Sequence, residues 1–153
     1  MNESSVKRFK RPESVLVIVY TRQNEVLLLK RNRPPVGWWQ SVTGSLRWDE
    51  SPEEAAVREV REETGLEVDN LIVNTGVVNY FKIVPESLHL YPTGAFENKE
   101  HVFTAMLQAM VGIHLNAAEH SHSMWLPALQ AAEKTQSSTN RAAILKLVRP
   151  KAP

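Results

Sequence analysis

Apolar and polar positions alternate in blocks that outline a chain of mixed strands and helices. Ser14 to Tyr20 is an aliphatic, β-branched run and Val26 to Leu29 is a second, separated by the polar stretch Thr21-Arg-Gln-Asn-Glu25. That arrangement predicts two strands joined by a hairpin turn. Trp39 to Thr43 predicts a further strand. Ser51 with Glu54 three residues on forms a capping box, Pro52 fits the first helical position, and Gly65 suits a left-handed stop. A helix is therefore expected over roughly Pro52 to Thr64, anchored on a sheet through Val57 and Val60. Leu71 to Val78, Phe81 to Val84 and His101 to Met110 are further strand candidates, and Pro85 to Asn98, with Pro92 and Gly94, reads as a loop. Near the end, Ser138 or Thr139 is positioned to cap a helix through Leu147. Strands, a central helix and a terminal helix suit an α+β chain folded as an α/β/α sandwich around a mixed sheet.

With 153 residues and 17.3 kDa, the chain has room for one domain, 1–153, with a real core. Residues 1–9 are expected to be a flexible basic tail. The net charge of +1 gives no reason to invoke attraction of the whole surface to nucleic acid or membrane. Charge is unevenly placed, however. Lys7, Arg8, Lys10 and Arg11, then Lys30, Arg31 and Arg33, all precede the acidic helix. A triphosphate bound beside a metal would take such cations on its far oxygens. There is no cysteine, so disulfides and thiol chemistry are excluded. The apolar run Val15 to Tyr20 is too short for a signal peptide core or a membrane span. A cytoplasmic protein is expected.

The chemistry concentrates between Gly44 and Leu66, which reads Gly44, five residues, Glu50, seven residues, Arg58-Glu59-Val60-Arg61-Glu62-Glu63, then Thr64-Gly65-Leu66. On the expected helix Glu59, Glu62 and Glu63 lie at i, i+3 and i+4, on one face. Like charges so close destabilise a helix unless a cation neutralises them. Hard divalent ions such as Mg²⁺ take carboxylate and phosphate oxygens. The competing reading of three acids alone is a solvated helix face; Gly44, Glu50, Arg58 and Gly65 at their fixed spacing argue against it.

This stretch resembles the Nudix box at every defined position. The resemblance implies a Nudix hydrolase: the α/β/α sandwich around a mixed sheet, and metal-dependent cleavage of a diphosphate linked to another moiety. It implies Mg²⁺, with Mn²⁺ as a substitute. It further implies that Glu59 and Glu63 are the main metal ligands, that Arg58 orients the glutamates, and that Glu62 is a further ligand or the base. Glu50 supports the site. Two positions depart from the commonest form of the box: Ser45 follows Gly44, and Asp49 precedes Glu50. Asp tolerates a left-handed backbone, so the loop is expected to turn.

Beyond the box, segments from about Lys10 to Leu147 resemble the bacterial dihydroneopterin triphosphate pyrophosphatases. They are Lys10-Arg-Pro12, Trp39-Gln-Ser-Val-Thr-Gly-Ser45, Asn98-Lys-Glu100, Glu119-His120 with Trp125-Leu126, and Ser137-Ser-Thr-Asn-Arg-Ala-Ala-Ile144. The resemblance makes Glu119 a third metal ligand from outside the box, and the second choice of base after Glu62. It assigns substrate contacts to Lys10, Arg31, Thr43, Ser137 and the segment Phe81, Lys82, Ile83, Val84. For each of these the alternative is ordinary surface or packing. His120 is weighed as a proton-transfer group against a surface or structural histidine. Trp38, Trp39 and Trp48 are weighed as stacking partners for a heterocycle against core residues; Trp39 is assigned to the core and Trp48 to the exposed loop. The expected reaction converts dihydroneopterin triphosphate to the monophosphate and pyrophosphate, with a small-molecule triphosphate as the partner and no nucleic acid or membrane. The rivals are a pyrophosphohydrolase of dATP or oxidised purine nucleotides, and a Nudix-fold binding module without catalysis.

Overall fold

The computed structural model describes residues 8–149. Most of the basic tail expected at 1–9, Lys7 included, therefore lies outside the described residues. Within them, strand β1 (Glu13–Thr21) turns at Asn24, whose φ of 63° gives the hairpin its left-handed residue, into β2 (Glu25–Arg31). The two strands pair only beside the turn, at Tyr20 and Val26. Beyond that point they diverge, and one segment fills the fork. Its first part, β3 (Trp39–Gln40), pairs with β2, and its second, β4 (Val42–Ser45), pairs with β1 from Val17 back to Ser14. The single strand expected from Trp39 to Thr43 is thus broken at Ser41, because its two halves serve different neighbours.

On the other side of β1 runs β6 (Glu97–Leu107), parallel and in register over the full length of β1, followed by antiparallel β5 (Ile72–Lys82). On the far edge β2 pairs antiparallel with β7 (His120–Pro127). The result is a seven-stranded mixed sheet. β5 merges the two strands expected at Leu71 to Val78 and Phe81 to Val84. Asn79 and Tyr80, which lie between them, pair regularly with Glu100 and Lys99; a bulge lies earlier, between Asn74 and Val78, and Ile83 and Val84 lie beyond the strand end. The stretch read as loop after Pro85 contains a 3-10 turn, Pro85–Leu90, and gives its last residues to β6.

Strand alternation divides the core in two. Val15, Val17 and Val19 face one way, with Leu27, Leu29, Phe103 and helix α1 (Pro52–Thr64). Leu16 and Ile18 face the other way, with Val26, Leu28, Val102 and two short helices, α2 (Ala128–Lys134) and α3 (Ser138–Leu147). Continuous apolar strands need cover on both faces, and helices supply it. The expected sandwich is the observed fold.

Helix α1 has the expected bounds and caps. Ser51 Oγ accepts from the Glu54 N–H at 3.1 Å, the Glu54 carboxylate accepts in return from the Ser51 N–H, and Gly65 closes the helix at φ 78°. Its anchor differs from expectation: Ala55, Ala56 and Val60 are buried, whereas Val57 is only partly so. Small alanines let the helix lie close to the sheet. α3 is capped by Ser137, one residue before the expected candidates, with its Oγ 3.3 Å from the Asn140 N–H.

α3 is tied to the sheet by a buried polar link at Asn140. Asn140 is 0% exposed; its Oδ1 accepts from the Ser41 N–H at 2.7 Å and its Nδ2 donates to Ser41 Oγ at 2.9 Å. The link satisfies the backbone where the fork-filling strand breaks. Asn140→Ala leaves that N–H buried and unpaired, and should cost about 1–3 kcal/mol in denaturant unfolding; an unchanged midpoint would show the link to be dispensable.

Candidate active site

One arginine organises the carboxylates of α1. Arg58 Nε and Nη2 bind both oxygens of Glu50 at 2.7 and 2.8 Å. Its Nη1 donates to Glu59 at 2.8 Å and Glu62 at 3.2 Å, and Nη2 also reaches the Ser45 carbonyl at 3.1 Å. A guanidinium has five N–H donors, and all five are used here. Glu50 holds Arg58 from the loop before α1. It also accepts from the Arg47 N–H at 3.0 Å, and both contacts keep its carboxyl below the ordinary range. That loop is in turn stapled to β1 by Arg11, whose Nη1 converges on the carbonyls of Arg47, Trp48 and Glu50. Asp49 is not in the left-handed region: among the described non-glycine residues only Asn24 is. The loop turns through these hydrogen bonds instead.

The three glutamates of the helix face occupy different environments. Glu62 is at the rim, its side chain 46% exposed, within 3.4 Å of Arg47 as well as bonded to Arg58. Glu59 is largely covered and lies over Gly44. A Cβ on Gly44 would come within 2.2 Å of the Glu59 carboxyl carbon, so the glycine is the cradle for that carboxylate. Glu63 is 2% exposed and takes a hydrogen bond from the backbone N–H of Thr43.

Opposite Glu63 stand two residues from the turn into β7. Oxygens of Glu63 and Glu119 and a ring nitrogen of His120 lie within 4.8 Å of one another. Glu119 is also paired with Arg33 at 2.9 Å. His120 is buried, not at the surface, and neither ring nitrogen has a hydrogen-bond partner among the described residues; nor has Glu63 Oε2. Buried polar atoms without partners are costly. A group of two carboxylates and an imidazole with three orphaned atoms has the donor chemistry of a divalent-cation site. Glu59 lies outside this tight group and faces it across the Gly44 cradle.

Electrostatics agree. Burial raises the Glu59 carboxyl to about 7, against the pull of Arg58, and burial with Glu59 and Glu119 nearby pushes Glu63 well above its ordinary value. Burial, with Arg31 and Arg33 close by, lowers His120 to about 4, so the imidazole is neutral at pH 7. Burial and the charges of Arg33 and Arg31 also lower Lys10, while Glu59 and Glu119 pull the other way. Lys10, Arg31 and Arg33 therefore form a positive rim beside the carboxylates.

Beside this cluster opens a cleft of about 550 Å³ on the α3 side of the sheet. Of the residues assigned to substrate from sequence, Arg31, Thr43, Phe81, Lys82, Ile83, Val84 and Ser137 all line it. Ser137 spends its hydroxyl on the helix cap. Lys10 stands apart, in the hollow with Trp48 and Arg58, its ammonium 5.9 Å from the Tyr91 ring. Trp48 is partly buried rather than exposed, donating to the Phe9 carbonyl at 2.7 Å. Trp39 packs against the α2–α3 core as expected. Trp38, weighed as a stacking residue, lines the cleft too; Tyr91 and Glu100 also line it and were not singled out as site residues. Tyr91 falls in the segment read as plain loop, and its only signal was an aromatic between two prolines.

The chain matches the NUDIX domain over residues 10–147, almost its whole length. It belongs to the Nudix family. Dihydroneopterin triphosphate diphosphatase of Haemophilus influenzae is 34% identical over 143 residues, covering 91% of this chain and 89% of that protein. The Escherichia coli protein of the same name is 34% identical over 145 residues, covering 93% and 95%. The structure of the E. coli dihydroneopterin triphosphate pyrophosphohydrolase superposes with a TM-score of 0.82 at 36% identity, over 93% of this chain and 98% of that one. A Nudix hydrolase from Listeria monocytogenes, 22% identical with a TM-score of 0.75, shares the fold. The protein is a Nudix enzyme, a hydrolase of phosphoanhydride bonds, and the family is generally dependent on divalent metal. Among the described residues, no helix is long and apolar enough to cross a membrane.

The raised carboxylates couple stability to pH. Glu59 binds its proton more tightly folded, at about 7, than at its ordinary 4.5. In metal-free protein that contribution is complete below pH 4.5 and is lost as pH rises through 7. Thermal melts in chelator should therefore fall from pH 4.5 to 7 relative to a Glu59→Gln variant, and a divalent cation should reverse the loss at neutral pH. A cation that raised the melting temperature equally at pH 4.5 and 7 would place its binding away from these carboxylates.

Proposed function

We propose that this Nudix enzyme hydrolyses dihydroneopterin triphosphate to dihydroneopterin monophosphate and pyrophosphate, in the cytoplasm. The observation that carries the reading is the match, over nine-tenths of both chains, to proteins of that activity. The site supports it: a carboxylate cluster, a positive rim and a cleft of ring size adjoin one another. The substrate is then a small-molecule triphosphate, engaged by a single domain without nucleic acid or membrane.

In this reading Glu59, Glu63 and Glu119 hold Mg²⁺, or Mn²⁺ in its place, and the neutral imidazole of His120 adjoins them. Bound there, divalent cations supply positive charge against the phosphate oxygens and acidify the attacking water. The remaining work falls to the protein's own groups. Arg58 keeps Glu59 and Glu62 in place and opposes the rise of the Glu59 pKa. Glu62, exposed at the rim, accepts the proton from water, with Glu119 as the second candidate. Lys10, Arg31 and Arg33 neutralise the outer phosphates. Thr43 and Ser137 line the path from phosphates to ring, and Phe81, Lys82, Ile83 and Val84 form the wall of the ring pocket. Positioning and charge stabilisation account for most of the acceleration, because phosphoryl transfer requires little covalent help.

The rival is a pyrophosphohydrolase of dATP or oxidised purine nucleotides. Pyrophosphate release with Mg²⁺ should favour dihydroneopterin triphosphate in kcat/KM, with GTP next and dATP last. A preference of about tenfold or more for dATP or an oxidised guanine nucleotide, about 1.4 kcal/mol of transition-state binding, would replace the pterin assignment.

Glu63→Gln should leave a folded protein with activity lowered by at least about a hundredfold, since the amide keeps the shape but loses the charge a metal needs. Glu53→Gln is the control: Glu53 lies on the same helix but contacts Asn74, at 3.0 Å. Parental rates for Glu63→Gln at saturating Mg²⁺ would remove Glu63 from the metal site.

A further inference from the structure

The floor of the cleft carries a group that the phosphate chemistry does not use. Glu100, on β6, is only 6% exposed yet lines the cleft together with Leu16 and Thr43. Its Oε1 accepts from Asn79 Nδ2 across the β5–β6 pair at 3.1 Å, and the Thr139 hydroxyl bonds to the same carboxyl. Among the described residues it has no ion pair. Burial accordingly raises its pKa, opposed only by those two neutral donors.

A buried carboxylate without a cation is an expensive way to fill a cleft floor, where a glutamine would pair as well with Asn79 and Thr139. A carboxylate has about four acceptor positions, and protein donors take two. The rest suit a ligand that presents two adjacent N–H donors. Trp38, Phe81 and Tyr91 around the same cleft offer flat apolar surface to such a ring. Thr43 connects the two halves of the site: it lines the cleft, while its backbone N–H holds Glu63. A ring on the cleft floor would thus direct its phosphate chain toward the carboxylate cluster.

We propose that Glu100 selects the heterocycle, its carboxylate accepting from the ring N–H and the adjacent amino group that pterin and guanine share. An adenine ring offers a lone pair beside a single amino group, which sets acceptor against acceptor. The inference rests on the triphosphate reading above and names the residue that decides which ring is taken.

The test compares kcat/KM for dihydroneopterin triphosphate, GTP and dATP in the parent and in Glu100→Gln. Phosphate-free neopterin binding, followed by its fluorescence without metal, gives a readout independent of hydrolysis. Loss of hydrogen bonds to a charged group should lower kcat/KM for the pterin and GTP by about tenfold to a hundredfold, mainly through KM. Neopterin binding should weaken in parallel, while dATP stays within about threefold of the parent. Equal losses on all three substrates would show a structural role only, and an unchanged preference would show none; either overturns the proposal. If Glu100→Gln fails to fold, Glu100→Asp decides, since it keeps the charge but withdraws it by one methylene and should lose the same preference. A parent inert toward dihydroneopterin triphosphate but active on GTP and dATP would overturn the substrate reading alone. The GTP to dATP ratio in the variants would then still decide the role of Glu100.

Discussion

Five carboxylates from two parts of the chain converge on a small volume, and the site depends on what offsets their repulsion. Arg58 is the first offset. It spends its five N–H groups on Glu50, Glu59, Glu62 and the Ser45 carbonyl, so one side chain fixes the spacing of three acids and the loop before them. The loop needs no special backbone because Arg11 and Arg58 hold it from two sides. The second offset is incomplete in the protein alone. Among the described residues, polar atoms of Glu63 and His120 have no hydrogen-bond partner and Glu59 and Glu63 have raised pKa values, so a divalent cation bound here would supply the missing offset. Stability given up there is typical of groups positioned for function.

Much of this was legible in the sequence because it is local. The capping box, the proline at its first turn and the closing glycine specify α1 within a few residues of one another, and the helix has the bounds they imply. The spacing of Glu59, Glu62 and Glu63 was equally visible. Their unequal burial was not, because it depends on which strand lies underneath. Gly44 illustrates the difference: its place in the motif is plain, but its reason is a carboxylate from another element resting where its side chain would be.

What escaped the sequence depends on distant partners. β7 carries His120, Ser121, His122 and Ser123 in alternation with little apolar content, and it becomes a strand because β2 offers it a free edge. α2 has few capping signals and forms where the sheet needs cover. β5 runs on through Asn79 and Tyr80, where two separate strands were expected, because β6 pairs with both residues. Glu100 likewise sat inside a quoted motif, but only the burial of β6 between two strands reveals it as a cleft residue.

The strand that fills the fork has a wider consequence. Along β4 successive residues face opposite sides of the sheet: Thr43 faces the cleft and Gly44 lies under Glu59. In the proposed reading, two neighbouring residues thus separate ring recognition from bond cleavage. The segment from Phe81, at the end of β5, to Tyr91 and the N-terminal turn of α3 can vary, changing in that reading which ring is admitted, without disturbing the glutamates on the other face. A single insertion or deletion between Trp39 and Ser45 would exchange the two faces and abolish both tasks together. A lineage built on this fold is therefore free to drift in its substrates and held to one reaction.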